Sequence, residues 1–161
     1  MMMMPYRIRT FAEGDAEALH ELSLAAISVV GPSAYSQEQI AAWSARHRPT
    51  QGLADRAASG HAIFIAADAD NVPVAFALLE PDGHLDQLYC HPQHTKRGLA
   101  YAVLRAAEDR ALISGIAKLY TEASELARPA FERAGYVMLY RREFDIDGVS
   151  IHNYAMEKPL L

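Results

Sequence analysis

A single cysteine, Cys90, stands among 161 residues, so no disulfide can form within the chain. Small secreted domains lean on such cross-links, and their absence fits a reducing, cytoplasmic setting. Positive charge is also in short supply. Fifteen Lys and Arg face 20 Asp and Glu, a formal net charge of −5, which argues against nucleic acid as the main partner. No apolar run approaches the roughly 20 residues that span a bilayer. Met1 to Met4 lead straight into Pro5 and Arg7, without the apolar core of a signal peptide. Neither a membrane partner nor a leader is therefore expected. No Gly-x-x-x-x-Gly-Lys-Ser/Thr motif occurs, which sets aside a nucleotide-dependent kinase. Repeats, low-complexity tracts and linkers are missing as well.

What is present is ordinary globular composition, 51% hydrophobic and 22% charged. A chain of this length buries roughly 70% of its unfolded surface, so one domain over residues 1–161 is expected.

Residues 6–11 alternate as a short strand. Asp15 suits the N-cap of a helix reaching about Val29, with Leu19, Leu22, Ala26 and Val29 or Val30 on one face. Gly31-Pro32 breaks that helix. Ser36-x-x-Gln39 has the form of a capping box, opening a second helix that Pro49 stops; residues 51–59 suit a short third. Strands at 61–67, 72–79 and 84–90 follow, joined by turns into an antiparallel meander. A helix over about 97–113 turns Leu99, Val103, Ala106 or Ala107, and Arg110 or Ile113 inward, with Gly115 as its C′ residue. A short strand at 118–121 precedes a helix that Ser124 caps and Gly135 ends. Asp147-Gly148 then joins two long strands, predicting Ile146 opposite Val149, Phe144 opposite Ile151 and Glu143 opposite His152. This order predicts an α/β (α+β) fold with a mixed sheet, in which the 84–121 unit sets two strands parallel.

The stretch from Leu88 to Ala100 is the most telling. It reads as a strand ending at Pro92, a polar and basic loop, and a helix start at Gly98. The first helical turn offers free N–H groups, and the helix dipole favours negative charge there. Gly98 lets a ligand approach the backbone, and Lys96 and Arg97 add positive charge. A pyrophosphate fits such a place.

Two motifs carry a resemblance. Thr95-Lys96-Arg97-Gly98-Leu99-Ala100 is similar to the Gln/Arg-x-x-Gly-x-Gly/Ala loop of the GNAT superfamily of acetyl-CoA-dependent N-acetyltransferases, matching at Gly98 and Ala100 and departing at Thr95. The run from Ala127 through Phe131 and Glu132 to Gly135 and Tyr136 resembles that family's Ala-x-x-Phe-Tyr-Glu-x-x-Gly-Phe/Tyr helix. The 121–124 stretch and the closing Asn153-Tyr154-x-Met156-x-Lys158 are similar to an uncharacterised bacterial branch. The resemblance implies a mostly antiparallel sheet of about six to seven strands, splayed between the fourth and fifth, with helices on both faces. It further implies that the backbone of Leu88, Tyr89 and Cys90 pairs with the pantetheine arm of acetyl-CoA. The amides of Lys96, Arg97, Gly98, Leu99, Ala100 and Tyr101 would hold the pyrophosphate, and Ser124 would touch the CoA arm. The acceptor would be a primary amine of a small molecule or a peptide N-terminus, and many relatives form homodimers, as the long final hairpin also suggests.

The chemistry needs a neutral amine, a donor for the oxyanion and a proton for the leaving thiolate. His84 and Asp86 share a strand face and are candidates for base through water. In many family members a tyrosine protonates the thiolate, but here that position is Phe131. Tyr154 is the candidate to stand in. The same departure keeps alive a second reading, a CoA-binding sensor with little turnover. Tyr35 and Trp43 either cover the acceptor, as that region does in the family, or belong to the core. His84, Cys90, His91 and His94 lack the spacing of a metal site, so no metal is expected, and Cys90 reads as a small buried hydrophobe rather than a nucleophile.

Overall fold

The computed structural model describes residues 5–47 and 51–161. The predicted end of the second helix at Pro49 lies outside them. The chain opens with β1 (Arg7–Thr10) and α1 (Ala16–Val30). A 3₁₀ turn at Gly31–Ser33 leads into α2 (Gln37–Arg46) and α3 (Gln51–Ala58). The meander follows as β2 (Ala62–Ala67), β3 (Pro73–Leu79) and β4 (Leu85–Cys90). Then come α4 (Leu99–Ile113), β5 (Lys118–Ala123), α5 (Arg128–Arg133), β6 (Val137–Ile146) and β7 (Val149–Pro159).

Two sheets result, of order β1-β2-β3-β4 and β5-β7-β6, with every ladder antiparallel. Among the described residues one isolated parallel bridge, His84 to Tyr120, joins them. β2 and β3 are buried on both faces, which is why they read as near-continuous apolar runs. Ile63, Ile65, Phe76 and Leu78 pack with Leu19 and Leu22 of α1 and Leu53 of α3. Phe64, Ala66, Ala75 and Ala77 turn the other way, onto Leu99, Val103 and Ala107 of α4. Strand alternation thus divides one apolar stretch between two helical layers. A third cluster seats α2 on the final hairpin through Tyr35, Ile40, Trp43, Ile146 and Ile151.

The local signals fall where chain chemistry puts them. The capping box forms in both directions: Gln39 N–H donates to Ser36 Oγ at 3.1 Å, and Ser36 N–H donates to Gln39 Oε1 at 2.9 Å. Ser36→Ala should cost about 1 kcal/mol, read as a lower urea midpoint at unchanged slope; an unmoved midpoint would show that tertiary contacts alone hold α2. The hairpin pairs Ile146 with Val149, Phe144 with Ile151 and Glu143 with His152, as predicted. Asp147 and Gly148 both take positive φ, 49° and 85°, as a type I′ turn demands. The ladder's irregularity falls at the far end, between Met138 and Tyr140.

Three expectations need correction. Asp15 occupies the N-cap position of α1, but its carboxylate makes no cap bond. It accepts the Ala12 N–H at 2.7 Å and both guanidinium nitrogens of Arg9, at 2.7 and 3.0 Å. A bidentate arginine outcompetes one backbone amide. The inner stripe of α4 closes on Ala111, while Ile113 faces outward; Arg110 is exposed but lays its guanidinium over the Phe64 ring at 5.5 Å. Ser124 Oγ accepts from Ala127 N–H at 3.1 Å, so it caps the turn before α5 rather than α5 itself.

Candidate active site

β4 and β5 meet at one end only. There Tyr120 N–H donates to the Gly83 carbonyl at 3.1 Å, and the buried Thr121 hydroxyl donates to the Leu85 carbonyl at 2.7 Å. Past Leu85 the two strands diverge, and among the described residues the outer edge of β4 has no strand partner. A cleft of about 810 Å³ opens along that edge. Leu88 and Tyr89 line it from β4, Ala123 and Ser124 from the end of β5, and Phe131 from α5. Tyr35, Trp43 and His152 line it as well, so the first two serve both core and cleft.

At the head of β4 the chain reverses sharply. A 3₁₀ turn, Pro92–His94, leads to Lys96 at φ 61° and Gly98 at φ 77°. Gly98 is the N-cap of α4, and a Cβ there would meet nothing within 4 Å. Ala102 N–H donates to the Gly98 carbonyl at 3.0 Å, so the N–H groups of Leu99, Ala100 and Tyr101 precede the first intrahelical bond. The open space and free amides fit an anionic ligand. Lys96 is exposed there. Arg97 is instead held back: its Nη1 donates to the Tyr6 hydroxyl at 2.5 Å, and that hydroxyl meets His94 Nδ1 at 2.8 Å.

His84 and Asp86 do come together, Nδ1 to Oδ1 at 3.9 Å, but inside a network the sequence did not announce. His84 Nδ1 meets Glu80 Oε1 at 2.5 Å and its Nε2 meets Glu122 Oε1 at 2.8 Å. Arg56, from α3, donates to Asp86 at 2.5 Å and to Glu80 at 2.8 Å. The bond to Glu122 and then that to Glu80 push His84 up to about 9, against the effect of burial. At neutral pH the ring is an imidazolium with both nitrogens donating, which corrects the expectation of a base there: it has no lone pair to offer. The linkage has a definite sign. A folded pKa above the free value of about 6.5 contributes stability below pH 6.5 and loses it as pH rises through about 9. Urea unfolding should therefore show a decline in stability from pH 6.5 to 9.5 that His84→Gln flattens; an equal decline in both proteins would refute the imidazolium.

Tyr154 lies on β7 opposite Ala123, with its hydroxyl donating to Glu125 Oε2 at 2.7 Å. That bond raises the phenol's pKa, so it keeps its proton, but the proton is committed to a carboxylate. This geometry does not suit a free acid at the leaving sulfur. Glu125 also accepts from His152 Nε2 at 2.6 Å, which together with Tyr154 holds its carboxyl below the usual range. Cys90 is pushed up to about 11 by burial and is a poor nucleophile. Among the described residues no group of three or more His, Cys, Asp or Glu is arranged to hold a metal ion.

Arg56, Glu80, Glu122, Glu125 and His152 escaped the sequence reading. They come from four stretches of the chain, Glu122 and Glu125 being three residues apart, and the local signals were Glu80 four residues before His84 and His152-x-Tyr154 on one strand face.

A sheet splayed between its fourth and fifth strands, with a glycine-capped helix at the head of the gap, defines the architecture of an acetyl-CoA-dependent acetyltransferase. The chain belongs to the acetyltransferase (GNAT) domain family, whose profile matches residues 32–158. A crystal structure of a GCN5-related N-acetyltransferase from Rhodopseudomonas palustris is 32% identical, with 99% of each chain covered and a TM-score of 0.87. The uncharacterized N-acetyltransferase YafP of Escherichia coli (strain K12) is 27% identical over 150 residues, 93% of each chain. The PaiA N-acetyltransferase of Thermoplasma acidophilum, solved in complex with coenzyme A, shares the fold at 21% identity, covering 97% of this chain and 99% of its own, with a TM-score of 0.77.

Proposed function

We propose that the protein moves the acetyl group of acetyl-CoA to a primary amine of a small molecule or a peptide N-terminus, by direct attack in a ternary complex. The observation that carries this is the unpaired β4 edge opening into a cleft of about 810 Å³ below a glycine-capped helix. The backbone of Leu88, Tyr89 and Cys90 pairs with the pantetheine arm as an added strand would. The amides from Lys96 and Arg97 through Gly98, Leu99, Ala100 and Tyr101 hold the pyrophosphate, and Ser124 borders the arm at the cleft wall. Held this way, the thioester carbonyl lies near backbone donors of β4 that stabilise its oxyanion. Asp86, one third exposed beside Arg56 and His84, draws the acceptor's ammonium into the cleft. His84 acts by positioning Asp86 and Glu122. Tyr154 acts through Glu125. With Phe131 at the position of the family's acid, the departing thiolate takes its proton from the acylated nitrogen.

Thiol release from acetyl-CoA tests the proposal, with L-lysine, spermidine and an alanine-terminated peptide as acceptors. Steady release that depends on the amine supports it. Tight CoA binding with no release would favour the sensor reading, for which Phe131 is the observation. The whole chain acts as one N-acetyltransferase domain in the cytoplasm, without metal, membrane or nucleic acid. Exposed Val137, Met138, Leu139 and Tyr140 on edge strand β6 support a homodimer. A monomer mass by light scattering would count against that.

A further inference from the structure

We infer that His152, oriented by Glu125, is the group that takes the proton from the acceptor's ammonium. The inference rests on the acetyl-transfer reading and names a residue for it. His152 lines the cleft from β7. Its Nε2 meets Glu125 Oε2 at 2.6 Å, and Tyr154 donates to that same oxygen at 2.7 Å. A carboxylate oxygen only accepts, so Nε2 carries the hydrogen, and the neutral ring has its lone pair on Nδ1. No hydrogen-bond partner is found for Nδ1 among the described residues.

The ring is fixed from several sides. The Tyr35 hydroxyl donates to the His152 carbonyl at 3.1 Å and accepts the Glu125 N–H at 2.8 Å, tying β7 to the turn after β5. The Tyr35 and Tyr154 rings stand 5.5 and 5.6 Å from the imidazole. Charged side chains also lie nearby: Arg142 and Asp145 line the same cleft, and Arg142 donates to Asn153 Oδ1 at 2.9 Å. Arg128 lies over the Tyr154 ring at 4.5 Å, and Glu143, across the ladder from His152, is taken by Arg141 at 3.1 Å. A histidine held by a carboxylate on one nitrogen and free on the other is the arrangement of a general base. The other histidines do not match it. His84 has both nitrogens on carboxylates, and burial pushes His47 down without a carboxylate to orient it.

The step balances. Nδ1 accepts one proton from the ammonium, which frees the nitrogen's electron pair. That pair forms the C–N bond to the thioester carbonyl carbon, and collapse of the tetrahedral adduct breaks the C–S bond. The thiolate takes the nitrogen's second proton, and His152 returns the first to solvent. His152 is thus a catalytic residue, and Glu125 a positioning residue.

The test compares wild type with His152→Gln, which keeps a donor for Glu125, and with His152→Ala. Thiol release from acetyl-CoA is followed from pH 5.5 to 9.5 with L-lysine, spermidine and the alanine-terminated peptide. His152→Gln should lose about 100-fold or more in kcat/KM at pH 7, within the range for one positioned base. The ascending limb of the pH profile should vanish, while CoA affinity by calorimetry stays within about twofold, too small a change to signal lost contacts. Free imidazole should restore part of the rate of His152→Ala. An active wild type whose limb and rate survive in His152→Gln would overturn the inference alone. A wild type that releases no thiol with any of these amines would overturn the acetyl-transfer reading, and this inference with it.

Discussion

Gly98→Asp should weaken CoA binding at least tenfold, a change of about 1.4 kcal/mol or more. The residue caps α4 at φ 77°, and open space surrounds the point where its Cβ would lie. Aspartate tolerates left-handed backbone better than most residues and is a favoured N-cap, so the fold should survive. What changes is charge. A carboxylate would sit where the free N–H groups of Leu99, Ala100 and Tyr101 and the helix dipole favour a pyrophosphate. Gly98→Asn separates the two effects, having nearly the same shape without the charge, and should lose much less. Calorimetry on folded Gly98→Asp giving wild-type affinity would remove the pyrophosphate from this helix.

Gly83→Ala should be the costliest single methyl in the molecule. Its Cβ would fall 2.4 Å from the Lys118 carbonyl oxygen and 3.0 Å from Ile116 Cγ2. The backbone is also at φ 104°, where a side chain adds roughly 1–3 kcal/mol of strain. A backbone oxygen cannot swing aside as a side chain can, so a total loss of about 3 kcal/mol or more is expected. The effect should reach the site as well. The Gly83–Tyr120 bond is one of the few that join β4 to β5, and it sets where their divergence begins. Urea unfolding should give a lower midpoint, and CoA affinity should fall at a temperature where the variant remains folded. A loss below about 1 kcal/mol would show that the 80–84 turn and β5 separate easily.

The correct and the missed readings divide by range. Ser36 and Gln39, Asp147-Gly148, Gly115 and Gly135 act through bonds within a few residues, so their roles could be read from spacing. The Gly98 loop belongs here too, since a glycine at a helix start and the order of elements are both local facts. Asp15 failed as a cap because Arg9 is a stronger partner than an amide, and Arg9 reaches it only once β1 is in place. Of the two alternatives Arg110 and Ile113, the exposed Ile113 fails and Arg110 reaches the Phe64 ring, because helix periodicity alone does not fix which edge of the apolar stripe meets the sheet.

The amino-acid order by itself determined the elements, the hairpin register, the helix-start loop and the family, since each rests on torsional preference, alternation or a contiguous motif. Only the tertiary structure decided the protonation chemistry. His84 reads as a base until Glu80 and Glu122 close on both its nitrogens, and His152 reads as a strand residue until Glu125 meets one of its two. Charge and tautomer are set by which groups lie within about 3 Å, and the fold brings Glu122 to His84 across 38 residues and Glu125 to His152 across 27, while Glu80 stands only four residues from His84.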